Sequence, residues 1–145
     1  MKKITVIYWS GTGNTQKMAE AIAQGAKSEE IVVNLLPVSQ AAKEDVVKAA
    51  GVALGCPAMG DESLEDLEME PFIASLAGED LSAIPFVLFG SYDWGNGQWM
   101  SDWEERMRAQ GARVLEEGLI VKDTPDETGL VKCRELGSKL AFAVA

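Results

Sequence analysis

The chain contains no histidine, two cysteines, and 13 lysines and arginines against 23 acidic residues. Each shortage removes a class of chemistry. Without histidine there is no imidazole metal ligand and no histidine general base, which excludes most familiar hydrolases. Cys56 and Cys133 lie far apart and in no C-x-x-C arrangement, so they read as free thiols rather than a disulfide or zinc ligands. The formal charge of -10 argues against nucleic acid or anionic membrane as partners, since both are bound mainly through lysine and arginine. A partner with a basic patch is the better expectation. No stretch approaches the roughly 20 apolar residues of a membrane span. Met1-Lys2-Lys3 is followed by only a short apolar run rather than a leader, which points to the cytoplasm.

What is present reads as one globular domain over residues 1–145, with 47% hydrophobic residues in an alternating pattern. The stretch ITVIYW is followed by a helix from Thr15 to about Lys27, with Met18, Ala19, Ile22, Ala23 and Ala26 on one face, and then by IVVNLL. The alternation continues with a helix near Ala42–Ala49, a strand at Val52–Cys56 and a helix near Asp66–Leu76. A strand at Phe86–Gly90, a helix over Gln98–Gln110, a last strand over Val114–Val121 and a helix from Glu127 to Phe142 complete it. Strict alternation implies an α/β fold, a doubly wound five-stranded parallel sheet with helices on both faces, because parallel strands need crossovers. Ligands of such sheets sit beyond the carboxyl ends of the strands. The loops WSGTGNT, CPAMGDESLED and GSYDWGNGQW therefore belong together.

The first loop has glycines at 11 and 13, hydroxyls at Ser10, Thr12 and Thr15, the amide of Asn14, and no cation before Lys17. It is not a G-x-G-x-x-G fingerprint, since Gln16 stands where the third glycine belongs, and it lacks the G-K-[ST] ending of nucleotide triphosphate loops. Backbone amides, a helix N-terminus and short hydroxyls suit a terminal phosphomonoester. The same residues also suit a plain turn capped by Asn14 or Thr12, and this loop alone does not separate the two readings.

Taken together, SGTGNT, GCPAMGDE and GSYDWGNGQWM resemble the flavodoxins, specifically the short-chain type of anaerobic bacteria, over essentially the whole chain. The resemblance implies a flavodoxin-like sheet of order 2-1-3-4-5, noncovalent flavin mononucleotide (FMN), and a low-potential one-electron carrier rather than an enzyme. It also implies a monomer that docks on redox proteins with basic patches. Ser10, Gly11, Thr12, Gly13, Asn14 and Thr15 would then hold the flavin phosphate, with Ser91 as a further donor. Met59 would lie on the inner face of the isoalloxazine ring and Trp94 on the outer. Glu62 would accept from the ring imide, and Ser91, Tyr92 and Asp93 would approach the pyrimidine edge. Ala58 and Gly95 would complete the ring loops. Gly60 and Asp61 would tune the potentials, the Gly60 carbonyl turning toward flavin nitrogen 5 in the semiquinone.

The residue chemistry agrees with that assignment. Trp and Met offer large, polarizable faces to a flat ring, a carboxylate beside an N–H makes a strong bond, and glycine lets a peptide reorient. The acidic run Asp61, Glu62, Glu65, Asp66, Glu68 and Glu70 would oppose a second electron. One charge at roughly 10 Å with an effective dielectric of about 20 is worth on the order of 1.7 kcal/mol, or roughly 70 mV. The same acids also suit the solvated start of a helix. Asp93 departs from the family's GSYGWG, and a left-handed backbone there would be strained.

Other residues read more plainly. Trp99 and Trp103 suit core packing, Trp9 covers the first loop or screens its ligand, and Cys56 is an inert strand-end thiol. A receiver domain would need acids at Tyr8-Trp9-Ser10 and a phosphoacceptor at Cys56-Pro57, and a low-molecular-weight phosphatase would need arginine where Glu62 stands. The remaining alternative is an FMN-dependent NAD(P)H quinone or flavin reductase, for which the short loops and the lack of a basic nicotinamide site speak poorly.

Overall fold

The computed structural model describes residues 1–145. Strand β1 (Lys2–Tyr8) lies between β2 (Ile31–Pro37) and β3 (Gly51–Gly55), and β3 pairs with β4 (Pro85–Tyr92). Beyond β4 the edge is in two pieces, β5 (Arg113–Val114) and β6 (Leu119–Lys122), both parallel to β4. The sheet is parallel, as the alternation implies, and its order is β2-β1-β3-β4-β5, as the resemblance implies.

Side-chain alternation along the strands divides the core. Ile4 and Val6 of β1, with Ala53, Val87 and Phe89, pack against helices α1 (Asn14–Ala26) and α5 (Glu127–Val144). Ile7, Val52, Leu54, Phe86 and Leu88 point the other way, onto α2 (Lys43–Val47), α3 (Met69–Ser75) and α4 (Gln98–Ala109). Every residue of β3 is buried, as expected of a central parallel strand covered on both faces.

Two expectations need correction. The last strand is not continuous over 114–121: after Leu115, whose N–H still donates to Phe86 O at 3.0 Å, Glu116–Gly118 leave the sheet, and Gly118 N–H donates instead to Glu104 Oε2 at 2.9 Å. Helix α3 begins at Met69 rather than near Asp66, because Glu65 folds back onto the backbone ahead of it. Helix α5 opens on a proper cap, Asp126 Oδ1 accepting from Gly129 N–H at 2.8 Å. No helix is long and apolar enough to cross a membrane.

Candidate functional site

All strands run parallel, but the order in which they are added reverses at β1, β2 lying on one side and β3 and β4 on the other, so the carboxyl ends of β1, β3 and β4 surround the switch point. At the end of β1 the chain enters α1 through Ser10–Gly13. Gly13 has φ 96°, a left-handed turn natural to glycine. Ser10 Oγ accepts from the N–H groups of Gly13 at 3.1 Å and Gln16 at 3.3 Å, so Ser10 does the main capping expected of Asn14 or Thr12. Thr12 Oγ1 takes only a long contact from Asn14 N–H at 3.4 Å, and Asn14 Oδ1 accepts from Thr124 Oγ1 at 3.1 Å. The amides of Gly11, Thr12 and Thr15 find no acceptor in the protein.

Thr15 and Ser91 fasten this loop to the end of β4. Their hydroxyls are 2.8 Å apart, and Thr15 Oγ1 also accepts from Ser91 N–H at 3.3 Å. The mutual bond uses one hydroxyl hydrogen, which leaves the other free to donate. The loop thus presents unpaired amides and hydroxyls at the positive end of a 13-residue helix, an anion-binding arrangement without a cation.

Beside it lies a cleft of about 220 Å³ lined by Trp9, Gly11, Thr12, Asn14, Pro57, Ala58, Met59, Ser91, Tyr92, Asp93 and Asp123. Larger hollows exist, such as one of about 530 Å³ between β6 and α5, but that one opens beside the acids Glu116, Glu117 and Glu135 and has no helix N-terminus, so it does not suit an anion. The cleft joins all three loops singled out in the sequence. It also includes a fourth, since Asp123 N–H donates to Tyr92 O at 2.7 Å and Thr124 reaches Asn14. Asp123 sits at φ 58°, in the left-handed region. The sequence reading missed this loop, although it too follows a strand of the sheet and the carboxyl-end rule covers it.

On the far side of the cleft, Met59 and Ser63 exchange backbone hydrogen bonds of 2.9 Å in each direction and close a turn over Gly60, Asp61 and Glu62. Gly60 has φ 50°, with open space where a Cβ would stand. Neither its carbonyl nor the Asp61 N–H is bonded within the protein, so this peptide is free to reorient. Trp94 is 54% exposed at the rim. Asp93 is not in the left-handed region, so the feared strain at that position is absent. The Glu62 carboxylate does not stand free: its Oε1 accepts from Gly97 and Gln98 N–H, both at 3.1 Å.

The acidic run is also less uniform than its sequence suggests. Glu65 is buried, with three backbone N–H groups on its carboxylate, from Leu67, Glu68 and Met69 at 2.8–2.9 Å. Burial raises its pKa, the amides lower it, and the amides prevail. Glu68 accepts from Trp9 Nε1 at 3.2 Å, and Glu70 pairs with Arg106 at 2.6 Å. Asp61 and Asp66 remain exposed and unpaired.

Trp9 leans over Gly11, where an added Cβ would meet the indole at 3.1 Å. Trp99 and Trp103 are core residues, each 1% exposed, and Trp99 Nε1 donates to Cys56 O at 3.1 Å. Burial pushes the Cys56 thiol up to about 12 and Cys133 to about 11, so neither is ionised near neutrality.

The family model for flavodoxin matches residues 6–137. The chain belongs to the flavodoxin family. It is 47% identical over 136 residues to a flavodoxin of Clostridium beijerinckii, covering 94% of this chain and 97% of that one. A flavodoxin of Megasphaera elsdenii is 41% identical, with 97% and 99% coverage. The structure of a flavodoxin from the domain Archaea superposes with a TM-score of 0.88 at 29% identity, covering 98% of both chains. As a flavodoxin-family member the chain is a flavin-binding electron carrier, and the reductase alternative is not favoured.

Proposed function

We propose that residues 1–145 form one cytoplasmic, monomeric domain that holds FMN noncovalently and passes electrons singly, at low potential, to redox proteins with basic patches. The observation that carries this reading is the unpaired amides of Gly11, Thr12 and Thr15 at the start of α1. They fit a phosphomonoester on a neutral chain, which needs no lysine. Ser10, Gly13, Asn14 and Ser91 complete the phosphate end. Ala58, Met59, Tyr92, Asp93, Trp94 and Gly95 flank the ring end, with Gly60, Asp61 and Glu62 at its edge. Bound FMN supplies a ring able to accept and release electrons one at a time. The protein's part is to shield its faces with Met59 and Trp94, surround it with negative charge, and offer one reorientable peptide at Gly60.

An anaerobic reductive titration of the FMN-loaded protein tests the proposal. Two separable one-electron steps, seen as a long-wavelength absorbance that rises and then falls, are expected, with no rapid bleaching by NADPH alone. Direct two-electron bleaching by NADPH would transfer the reading to a reductase, and failure to take up FMN would remove it.

Asp93 lines the cleft without backbone strain, so its charge is the part that matters. Asp93→Gly and Asp93→Asn are both expected to move the second midpoint to less negative values, by tens of millivolts at low salt and less as salt screens the site. An unchanged or more negative second midpoint in both variants would sink that assignment.

A further inference from the structure

We infer that Glu62 is a brace that joins the two loops flanking the ring end of the cleft, 59–63 and 93–97, into one preformed slot before any ligand arrives. The inference rests on the flavin reading only for what the slot receives.

Helix α4 has no cap of its own. Its N-cap residue is Gly97, without a side chain and at φ 93°, and its first turn holds no acid. The missing acceptor comes from another part of the chain. Glu62 Oε1 receives the Gly97 and Gln98 N–H groups at 3.1 Å each, across 35 and 36 residues of sequence. A carboxylate at a helix N-terminus is favoured both by the hydrogen bonds and by the helix dipole.

Two further features are shaped around this contact. Gly95 leaves the space: a Cβ there would lie 2.6 Å from both Cδ and Oε1 of Glu62. Glu62 itself is held at φ 54°, one of two non-glycine residues in the left-handed region. Glycine or asparagine would close that turn at lower cost, so the side chain compensates for the strain. Glu62 Oε2 makes no hydrogen bond within the protein, which leaves it available to a donor on a bound ring. The imide contact implied by the family resemblance and the brace are therefore compatible: one oxygen organises the slot and the other serves its occupant.

Amide hydrogen exchange of the full-length apoprotein, followed residue by residue by NMR, tests this. In Glu62→Ala the Gly97 and Gln98 amides should exchange about 5- to 30-fold faster, the range expected for a lost cap, while amides of β1, β3 and β4 keep their protection. Glu62→Gln, which retains an oxygen acceptor, should restore most of it. Riboflavin affinity should fall in Glu62→Ala while inorganic phosphate affinity holds, because Glu62 acts at the ring end alone, through the brace and through the oxygen left to the ring.

Unchanged exchange at Gly97 and Gln98 in Glu62→Ala overturns the inference. If that variant loses protection throughout, Glu62→Asp serves in its place, since it keeps the charge and tolerates the left-handed backbone but is one methylene shorter and draws the carboxylate away from both amides. The same local loss supports the brace, and unchanged protection overturns it. Should the protein bind no flavin, the proposed function fails while the exchange result stands. Should flavin bind and exchange not change, the brace alone fails.

Discussion

Gly137→Ala is expected to destabilise the fold by at least about 3 kcal/mol, although helix propensity alone favours alanine over glycine by about 1 kcal/mol. A Cβ at Gly137 would lie 2.1 Å from Ile22 O and 2.9 Å from Ala26 N, and one at Gly25 would lie 2.0 Å from Arg134 O. Helices α1 and α5 thus touch backbone to backbone, with Ser138 Oγ donating to Gly25 O at 3.1 Å. Overpacking commonly costs 1–3 kcal/mol when side chains can yield. Here no rotamer change relieves the clash, so the helices must separate. Met18, Ile22, Leu136 and Leu140, all buried between them, then lose contact. Thermal unfolding should show a melting temperature lower by roughly 6–12 °C. A Gly137→Ala protein as stable as the parent, or more so, would show that the crossing is looser than described.

Glu65→Ala is expected to cost roughly 2–3 kcal/mol at neutral pH. Its carboxylate is the sole acceptor for the Leu67, Glu68 and Met69 amides, and Met69 is fully buried, so water cannot replace it there. The effect should depend on pH in a defined direction. Burial alone would raise the Glu65 pKa, but the three amides bring the folded-state value below the ordinary glutamate value of about 4.5. The unfolded chain therefore takes up the proton first. The stabilisation is fully present above that ordinary value and is lost as the pH falls through the lower folded value. Denaturant unfolding of parent and variant from pH 7 to pH 3 should show the difference shrinking only at the acid end. A gap that stays constant over that range, or never exceeds about 0.5 kcal/mol, would refute the role.

How much of this was readable in the sequence depended on the kind of signal. The strands and the phosphate loop announced themselves through local pattern: apolar runs at Ile4–Tyr8 and Phe86–Gly90, and glycines and hydroxyls between Ser10 and Thr15. Side chains acting across long sequence separations did not. Glu62 and Glu65 look alike in DESLED, yet one caps α4 from 35 residues away and the other turns inward to cap α3. Nothing in their spacing distinguishes them, since the difference depends on which amides the tertiary fold brings near. Asp123 follows the last strand, so the carboxyl-end rule reached its loop, but VKDTPDE carries no glycine-and-hydroxyl pattern to single it out, and its place in the cleft follows from β6 pairing with β4. The break at Glu116–Gly118 was hidden by apolar residues on either side, which read as one strand when the edge needs only two short contacts with β4.

That break makes the edge of the sheet a point of growth. Glu116 and Glu117 carry none of the ladder, while Gly118 is anchored by Glu104 and lies so close to Met100 that a Cβ would meet its sulfur at 2.3 Å. Extra chain inserted ahead of Gly118 would leave both edge strands paired. Each doubling of such a loop adds only about 0.6 kcal/mol of closure entropy. A lineage built on this fold can lengthen there, acquiring a new surface on that edge, without rebuilding the loops that hold the ligand.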